Sequence, residues 1–530
     1  MQFNDDTLIF LTPMHVLTHV CITFAGLKTS YHMQKNKLRP IMFAGTGSDV
    51  GKSVLAAGFC RIFMQDGYTP APFKAQNMAL NSFATPDGLE IGRAQAVQAE
   101  AAGLPPHTDM NPLLLKPQSD LTCQVVLNGR AIGNKDAYSN FKRDNREPLR
   151  MAVCEAYDRL AARYNPIVME GAGSISEINL READIVNMPM ARHAGAAVVL
   201  VADIDRGGVF ASAYGSVMLQ TPEDRSMIRG IIVNKFRGDI RLFRDGVKMM
   251  EDLCGVPVLG VVPYFKDIYI EAEDSLELDM KARLAADDGR VNVAVVLLRH
   301  LSNFTDFDAL ERDPRLHLYY TNNAKDVNDA DIIILPGSKN TIADLAELRR
   351  NGMAEAVIRA RRDGKTVIGI CGGYQMMGTY VDDPDGIEGD ISRMPGLGLL
   401  PVTTRMGRGK ATRQAEFTLA DGTGGTMHGY EIHNGTTAPD DGRSHSPLCL
   451  KADGTADGYI VDGKCMGTYI HGILDNAGFV DFMLAPYADK VGKRRGMTDW
   501  RSFKERQYDL LADHIRRHVD MRKVYEIMAE

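Results

Sequence analysis

Residues 45–53, GTGSDVGKS, have the types and spacing of a phosphate-binding loop. Small residues let the backbone curl so that successive N–H groups face an anion, and the N-terminus of the following helix favours the same charge. In such a loop Lys52 reaches the β- and γ-phosphates of ATP and the Ser53 hydroxyl ligates Mg²⁺. A strict motif has Gly where this chain has Thr46, so the loop is a variant. The predicted nucleotide-binding residues are Gly45, Thr46, Gly47, Ser48, Asp49, Val50, Gly51, Lys52 and Ser53.

A magnesium-bound triphosphate usually needs a carboxylate from a neighbouring strand. Glu170 ends the apolar run PIVMEG and precedes a small-residue turn, so we expect it to share Mg²⁺ with Ser53. Asp203 and Asp205 also follow an apolar run and are weaker candidates. The pair Asn234-Lys235 ends another such run and is a candidate contact for the nucleotide base.

A second reactive segment surrounds Cys371. The run VIGIC leads through Gly372 and Gly373 into a helical pattern, which predicts a strand–nucleophile–helix elbow with the thiol at a helix N-terminus. The helix dipole there favours the reactive thiolate. His471, in GTYIHGI, is the candidate base. Backbone N–H groups at Gly337, in ILPGS, and at Gly372 are candidates for stabilising an oxyanion.

These segments follow short, continuous apolar runs that alternate with helical patterns. Continuous runs are typical of parallel strands covered on both faces. They occur at 40–45, 166–171, 196–204, 230–235, 291–298, 331–337 and 366–371. We therefore predict an α/β protein with two doubly wound domains. The predicted divisions are an extension at 1–36, domains at 37–287 and 288–485, and a helical tail at 486–530.

The composition excludes several classes of protein. The chain has 530 residues, 45% hydrophobic and 24% charged, with a net charge of −7, which is typical of a packed globular protein and offers no basic footprint for nucleic acid. Its eight cysteines contain no C-x-x-C pair, which favours reduced thiols in a cytoplasm.

The N-terminus has an apolar stretch of about membrane-spanning length at residues 8–27. Pro13 and two histidines interrupt it, and acidic rather than basic residues precede it. We expect residues 1–32 to be a dispensable extension or a mis-assigned start, with no stable membrane association. A membrane anchor is the alternative.

The first half resembles the dethiobiotin-synthetase-like ATPases, whose loop G-T-x-[ST]-x-V-G-K-[ST] matches residues 45–53 and whose E-G-A-G stretch matches 170–173. The resemblance implies that ATP phosphorylates a carboxylate, which a nitrogen nucleophile then attacks. The partition-type ATPases are a competing resemblance. They carry an additional Lys early in the loop, where this chain has Thr46 and Gly47.

The second half resembles the class I glutamine amidotransferases, of flavodoxin-like fold, through 336–338, 369–375 and His471. The resemblance implies that Cys371 attacks the carboxamide of L-glutamine, that His471 moves the proton, and that Gln375 helps to hold glutamine. Most of that class has a Glu two residues after the histidine, where this chain has Ile473. Glu431 is a candidate replacement or substrate ligand.

The combined layout resembles the cobyric acid synthase family of cobalamin biosynthesis. The resemblance rests on KAQNMALNS, EIGRAQ, NPLLLKPQSD, CQVVLNG and LSNFTDFDAL between residues 74 and 310. It implies ligation of ammonia from glutamine to the b, d, e and g carboxylates of adenosyl-cobyrinic acid a,c-diamide, with ATP and Mg²⁺ and no tightly bound prosthetic group. The ammonia would travel between the two sites. Another polyacid substrate, or a nucleotide switch without enzymatic activity, remains an alternative.

Within that layout, some polar residues suit an acid-decorated macrocycle. Glu90 is a weak candidate for a third Mg²⁺ ligand beside Ser53 and Glu170. The candidate contacts for the macrocycle are Lys74, Asn77, Asn81, Arg93 and Lys116.

Overall fold

The computed structural model describes residues 36–117, 122–136, 143–271, 287, 289–442, 444–496 and 499–529. The chain divides into two compact units, Met1–Lys37 and Leu38–Glu530. Of the first unit, only residues 36 and 37 are described, and both are exposed. The expectations for residues 1–32 therefore lie outside the described residues. The predicted boundary near residue 287 stays a prediction.

Strands and helices alternate along most of the second unit. The strands are β1 (Ile41–Gly45), β2 (Ala71–Phe73), β3 (Gln76–Met78), β4 (Ser82–Ala84), β5 (Glu90–Gly92), β6 (Leu113–Pro117), β7 (Thr122–Leu127), β8 (Arg130–Asp136), β9 (Ile167–Glu170), β10 (Ala197–Asp203), β11 (Ile228–Phe236), β12 (Val258–Pro263), β13 (Val291–Val296), β14 (Leu316–Thr321), β15 (Ile332–Leu335), β16 (Thr366–Ile370), β17 (Tyr380–Asp382), β18 (Arg393–Pro395), β19 (Val402–Leu419), β20 (Met427–Pro439), β21 (Cys449–Lys451), β22 (Ala456–Asp457), β23 (Tyr459–Asp462), β24 (Cys465–Thr468) and β25 (Ile470–His471). The α-helices are α1 (Lys52–Gln65), α2 (Arg93–Ala101), α3 (Arg143–Ala161), α4 (Met188–Ala194), α5 (Val209–Met218), α6 (Pro222–Met227), α7 (Arg244–Cys254), α8 (Asp308–Glu311), α9 (Thr341–Arg350), α10 (Met353–Arg362), α11 (Gly372–Met377), α12 (Ala477–Leu484), α13 (Ala488–Val491), α14 (Trp500–His518) and α15 (Met521–Ala529).

The N-terminal half, residues 38–271, is built on a parallel sheet of order β12–β11–β10–β1–β9–β2. Every residue of β1, β9 and β10 is buried, because helices cover both faces of the sheet. In the register of β1 with β9, Phe43 lies opposite Glu170. The loops after these two strands therefore meet at one edge of the sheet.

The C-terminal half, residues 289–496, is built on a second sheet of order β14–β13–β15–β16–β24–β23. Its strands run parallel except β23, which is antiparallel to β24. The four neighbours β13, β15, β16 and β24 end at the same edge. The two sheets confirm the predicted pair of doubly wound α/β layers.

Three further sheets were not predicted, and the smallest is the antiparallel pair β4 and β5. The long antiparallel pair β19 and β20 forms the centre of a mixed sheet, and β3, β6, β7 and β8 form another in the N-terminal half. The sequence of β19, VTTRMGRGKATRQAEFTL, is polar and rich in Gly, and only some of its residues are buried. It therefore lacks the continuous apolar run by which the other strands were found.

The C-terminal helices α14 and α15 pack against the N-terminal half, although it lies hundreds of residues earlier in the chain. Leu511 and Ile515 of α14 join the core that contains Phe59 and Phe63 of α1. A Cβ added at Gly58 would lie 2.2 Å from Cδ1 of Ile515, so the absence of a side chain there permits the close approach.

The basic residues of α14 also contact that half. Arg516 pairs with Asp66, and Lys504 pairs with Glu100 and Glu271. These cations therefore neutralise carboxylates of the N-terminal half.

Within the described residues, no helix is long and apolar enough to cross a membrane. The described cysteines, at 60, 123, 154, 254, 371, 449 and 465, are all free thiols.

Candidate active site

The phosphate loop lies between β1 and α1, and all nine predicted residues meet there. Asp49 and Gly51 have φ values of 56° and 96°, a left-handed curl that turns backbone N–H groups inward. A Cβ at Gly45 would lie 2.8 Å from both the carbonyl oxygen of Gly47 and Nζ of Lys52. The loop is thus tight enough to need glycine at that position.

Ser53 and Glu170 meet, as the sequence predicts. The Ser53 hydroxyl donates to Oε1 of Glu170 at 2.8 Å, and Nζ of Lys74 lies 2.8 Å from the same oxygen. Gln98 Nε2 donates to the other oxygen, Oε2, at 2.6 Å. A hydroxyl and a fixed carboxylate beside a phosphate loop are oxygen donors of the kind that Mg²⁺ takes. The residues present therefore fit the ion.

Glu90 lies elsewhere. It is 1% exposed and its two carboxylate oxygens pair with Lys116, at 2.8 Å, and with Lys410 of the C-terminal half. These opposite charges outweigh burial and hold the pKa of Glu90 well below its ordinary value. Its contacts contradict the expectation that it joins Ser53 and Glu170 at Mg²⁺: Glu90 neutralises the buried Lys116 and the half-buried Lys410.

The other polar residues at the strand ends are bonded within the protein. Asn234 Nδ2 donates to the carbonyl of Val50 at 2.8 Å, and Lys235 bonds to the carbonyl of Asp49. Asp203 pairs with Lys235 at 3.1 Å. Asp205 pairs with an arginine, Arg237, at 2.6 Å. Asn234 and Lys235 therefore bond to the loop backbone, whereas Asp203 and Asp205 pair with basic side chains.

A cavity of about 1340 Å³ opens beside the phosphate loop and Glu170. Of the five candidate contacts for a macrocycle, Lys74 and Asn77 line it, together with the guanidinium groups of Arg146, Arg181 and Arg192. The remaining candidates, Asn81, Arg93 and Lys116, have other partners among the described residues. The cavity is large, and its lining carries nine basic and seven acidic residues. The basic residues suit the carboxylates of a polyanionic substrate beside a nucleotide.

In the C-terminal half, Cys371 lies directly after the buried strand β16 and before α11. Its φ of 52° is unusual for a residue with a side chain, and such strain is found at nucleophile elbows. A Cβ at Gly373 would lie 1.9 Å from the carbonyl oxygen of Leu335, so only glycine permits this turn against β15. The predicted elbow geometry is present.

His471 follows β24, the strand beside β16, and is bonded to Asp306. Nδ1 of His471 lies 2.7 Å from Oδ2 of Asp306, whose other oxygen accepts the N–H of Gly472 at 3.1 Å. Burial alone would lower the pKa of His471, but the charges of Asp306 and Cys371 and their hydrogen bonds outweigh it and raise the pKa to about 10. The imidazolium form is therefore favoured beside the thiol.

Asp306 was missed as a site residue in the sequence. It lies in the 3₁₀ turn Phe304–Phe307 after β13, within LSNFTDFDAL, a string that served only to identify the family. Ile473, where the related enzymes carry Glu, is fully buried in the apolar core. Glu431, the other candidate, pairs with Arg413 and Lys451 and not with the histidine.

The glutamine-site candidates also converge. Gly337 lies against the histidine, since a Cβ added there would be 3.3 Å from Cε1 of His471. Gly372 lies against the residue after Gly337, since a Cβ added there would be 2.8 Å from the backbone nitrogen of Ser338. Gln375 lines a cavity of about 50 Å³ together with Cys371 and His471. Its amide is already bonded, since Oε1 accepts from Thr341 at 2.9 Å and Nε2 donates to the Asn434 carbonyl and the Tyr469 hydroxyl. Gln375 thus shapes the wall of the cavity.

The N-terminal half completes this second site. Lys116 lines the cavity beside Cys371. Phe83 contacts Tyr430, with ring centroids 4.6 Å apart, and Tyr430 in turn stacks on His471. The backbone N–H of Ser82 donates to Asn303, three residues before Asp306. The two halves of the chain are therefore in contact beside Cys371 and His471.

Comparisons with known proteins agree with this geometry. Residues 41–278 match the model of the CobQ/CobB/MinD/ParA nucleotide binding domain, and residues 292–479 that of the CobB/CobQ-like glutamine amidotransferase domain. The chain is 67% identical to the cobyric acid synthase of Bacteroides fragilis over 498 residues, 94% of this chain and 100% of that one. The chain belongs to the cobyric acid synthase family.

Other members of the family are similar over the same extent. The cobyric acid synthase of Phocaeicola vulgatus is 66% identical over 497 residues, 94% of this chain and 99% of that one. That of Salmonella arizonae is 47% identical over 508 residues, 92% of this chain and 98% of that one. Membership of the cobyric acid synthase family thus covers both sites described above.

Proposed function

We propose that the protein is a glutamine-hydrolysing, ATP-dependent amide synthetase that converts adenosyl-cobyrinic acid a,c-diamide to adenosyl-cobyric acid by amidating its b, d, e and g carboxylates. One observation carries the proposal: a phosphate loop with an adjoining carboxylate and a Cys–His–Asp group lie on one chain, and Lys116 of the first half lines the cavity of the second. Neither site alone would specify an enzyme that joins ammonia to a carboxylate.

At the second site Cys371 is the nucleophile. The thiol gives its proton to His471, and the thiolate sulfur bonds to the carboxamide carbon of glutamine. The oxyanion takes hydrogen bonds from the N–H groups at Gly337 and Gly372, and the C–N bond breaks as His471 gives that proton to the leaving nitrogen, which departs as ammonia. Water then cleaves the thioester to release glutamate. Asp306 holds the imidazole in one orientation throughout.

At the first site the 45–53 loop holds the phosphates of ATP and Lys52 approaches the transferred group. Ser53 and Glu170 would hold Mg²⁺, which supplies positive charge against the phosphates. A substrate carboxylate attacks the γ-phosphorus, ADP leaves, and ammonia displaces phosphate from the acyl phosphate to form the amide. Lys74, Asn77 and the arginines of the large cavity are suited to the remaining carboxylates.

We also propose the division of labour along the chain: a synthetase domain at 37–287, an amidotransferase domain at 288–485, a tail at 486–530 and a dispensable extension at 1–36. A cytoplasmic location would keep the thiol of Cys371 reduced.

The test is mass spectrometry of adenosyl-cobyrinic acid a,c-diamide after incubation with the protein, glutamine and MgATP. We expect successive carboxyl-to-amide conversions that stop at the fourth. The Cys371→Ala variant should give the same products only when ammonium salt is added. An unchanged corrinoid, with ATP and glutamine bound, would contradict the proposal and favour another polyacid.

A further inference from the structure

The cavity beside Cys371 must hold more than a carboxamide if the proposed function is correct, and the inference below rests on that function. Glutamine carries an α-ammonium and an α-carboxylate at the end remote from the reacting carbon. Both charges need partners, because a zwitterion taken from water into a narrow cavity is costly without them. The polar side chains that line the cavity are therefore candidates for this second task.

Most of these side chains are already engaged. Gln375 has both amide N–H groups bonded within the protein. Lys116 and Lys410 also line the cavity, but both are paired with Glu90. Burial lowers the pKa of His433 to about 4, so this histidine is neutral and has no charge to offer.

Two charged residues of the wall remain, Lys339 and Glu388. Glu388 is the only carboxylate among the described residues that line the cavity. No described carboxylate lies within ion-pair distance of the Lys339 ammonium group. Both side chains are half-buried, so each is accessible from the cavity.

The fold holds both residues in place. Oε2 of Glu388 accepts the N–H of Ile342, in the first turn of α9, at 3.0 Å. Asp383 accepts the N–H groups of Ile387 and Glu388, at 2.8 Å each, and so fixes the loop that carries this carboxylate. The backbone of Lys339 is bonded to His300 at 2.9 Å. A prearranged pair of opposite charges is what recognition of an amino acid zwitterion requires.

Burial disfavours the charge of each group before a ligand binds. It raises the pKa of Glu388 to about 7. Burial and the nearby charges of Lys116 and Lys410 lower the pKa of Lys339 to about 7. A ligand that brings an opposite charge to each group would stabilise both charged forms.

We propose that Glu388 binds the α-ammonium and Lys339 the α-carboxylate of glutamine, so that these two residues select an α-amino acid amide over other primary amides. Cys371 and His471 then act on the carboxamide at the other end of the same molecule.

The test crosses two variants with two truncated substrates. Glutaramic acid is glutamine without the α-amino group, and 4-aminobutanamide is glutamine without the α-carboxylate. Ammonia release is measured for the full-length protein, Glu388→Gln and Lys339→Met, each with glutamine and with both amides. Because this readout needs no corrinoid, the inference can fail or succeed independently of the proposed amidation.

Each variant should lose at least about 30-fold in kcat/KM for glutamine, mainly through KM, as expected when one partner of a buried charge pair is removed. Glu388→Gln should lose no further activity with glutaramic acid, and Lys339→Met none with 4-aminobutanamide. Amidation with ammonium salt should be unchanged in both. Glu347→Gln, an exposed carboxylate on α9, and Lys325→Met, an exposed lysine, are the matched controls.

Unchanged KM values for glutamine would overturn the proposal. So would losses of equal size on all three substrates, because a general distortion of the cavity does not distinguish the two ends of glutamine.

Discussion

Oδ2 of Asp306 lies 2.7 Å from Nδ1 of His471, although 165 residues separate them in the chain. The two meet because β13, which leads to Asp306, and β24, which leads to His471, end at the same edge of one sheet. The buried carboxylate therefore replaces the one that related amidotransferases carry two residues after the histidine.

Replacing Asp306 by Asn should reduce glutamine hydrolysis by about 100-fold or more, because the imidazole loses both its orientation and its charge partner. Amidation with ammonium salt should be unaffected. Without the carboxylate, burial lowers the pKa of His471. The rate of Cys371 alkylation should therefore change over a different pH interval in the variant than in the unmodified protein. An Asp306→Asn variant with normal glutaminase activity would show that another group orients the histidine.

Lys52→Ala and Cys371→Ala should differ in which nitrogen source still supports amidation. Loss of Lys52 removes a positive charge from the transferred phosphoryl group, so amidation should fall by about 1000-fold with either glutamine or ammonium. Loss of Cys371 should abolish only the glutamine-dependent reaction. Product formation with each nitrogen source distinguishes them. If both variants lost ammonium-dependent activity equally, the division of chemistry between the two sites would be wrong.

Glu90→Gln should destabilise the protein by about 3 kcal/mol, because it leaves the buried Lys116 and the half-buried Lys410 with one neutral partner. Chemical denaturation measures the free energy of unfolding. The exposed Glu347→Gln serves as the control and should change it by less than about 0.5 kcal/mol. If Glu90 were instead a magnesium ligand, the variant would alter the Mg²⁺ dependence and leave stability nearly unchanged.

The ion pair of Glu271 with Arg93 predicts a specific loss of stability in acid. Burial alone would raise the pKa of Glu271, but Arg93 and Lys504 outweigh it and lower the pKa to about 2, from an ordinary value of 4.5. The stabilisation is therefore complete above about pH 4.5 and is lost as the pH falls towards 2. The Glu271→Gln variant should lose less stability over this interval, as measured by denaturation at several pH values. Equal losses of stability in the variant and in the unmodified protein would contradict the assignment of this acid sensitivity to Glu271.

Neighbouring leucines of α14 offer a matched test of how the tail packs. Leu511 is 1% exposed within the core of the N-terminal half, whereas Leu510 is 43% exposed. Leu511→Ala should cost about 3 kcal/mol of unfolding free energy, and Leu510→Ala less than about 0.5 kcal/mol. Similar small costs would mean that α14 is detached in solution.

The sequence predicted those parts of the site that lie in continuous segments. The phosphate loop, the Cys371 elbow and Glu170 each follow an apolar strand directly, and strand ends in a parallel sheet meet at one edge. Asp306 follows β13 only after a loop, so no local spacing connects it with His471. Lys116 and Glu90 could not be assigned for the same reason: their partner Lys410 lies in β19, a polar strand without a recognisable pattern.

The tail has a consequence for how the protein is made. Residues 500–529 are translated after both halves of the chain, yet Leu511 and Ile515 fill the core around Phe59, near the start of the described chain. A ribosome that has synthesised only the first half has not yet produced the side chains that cover this core. The core behind the phosphate loop is thus completed only after the amidotransferase half has been synthesised. A chain truncated before residue 500 would leave α1, the helix behind the loop, uncovered.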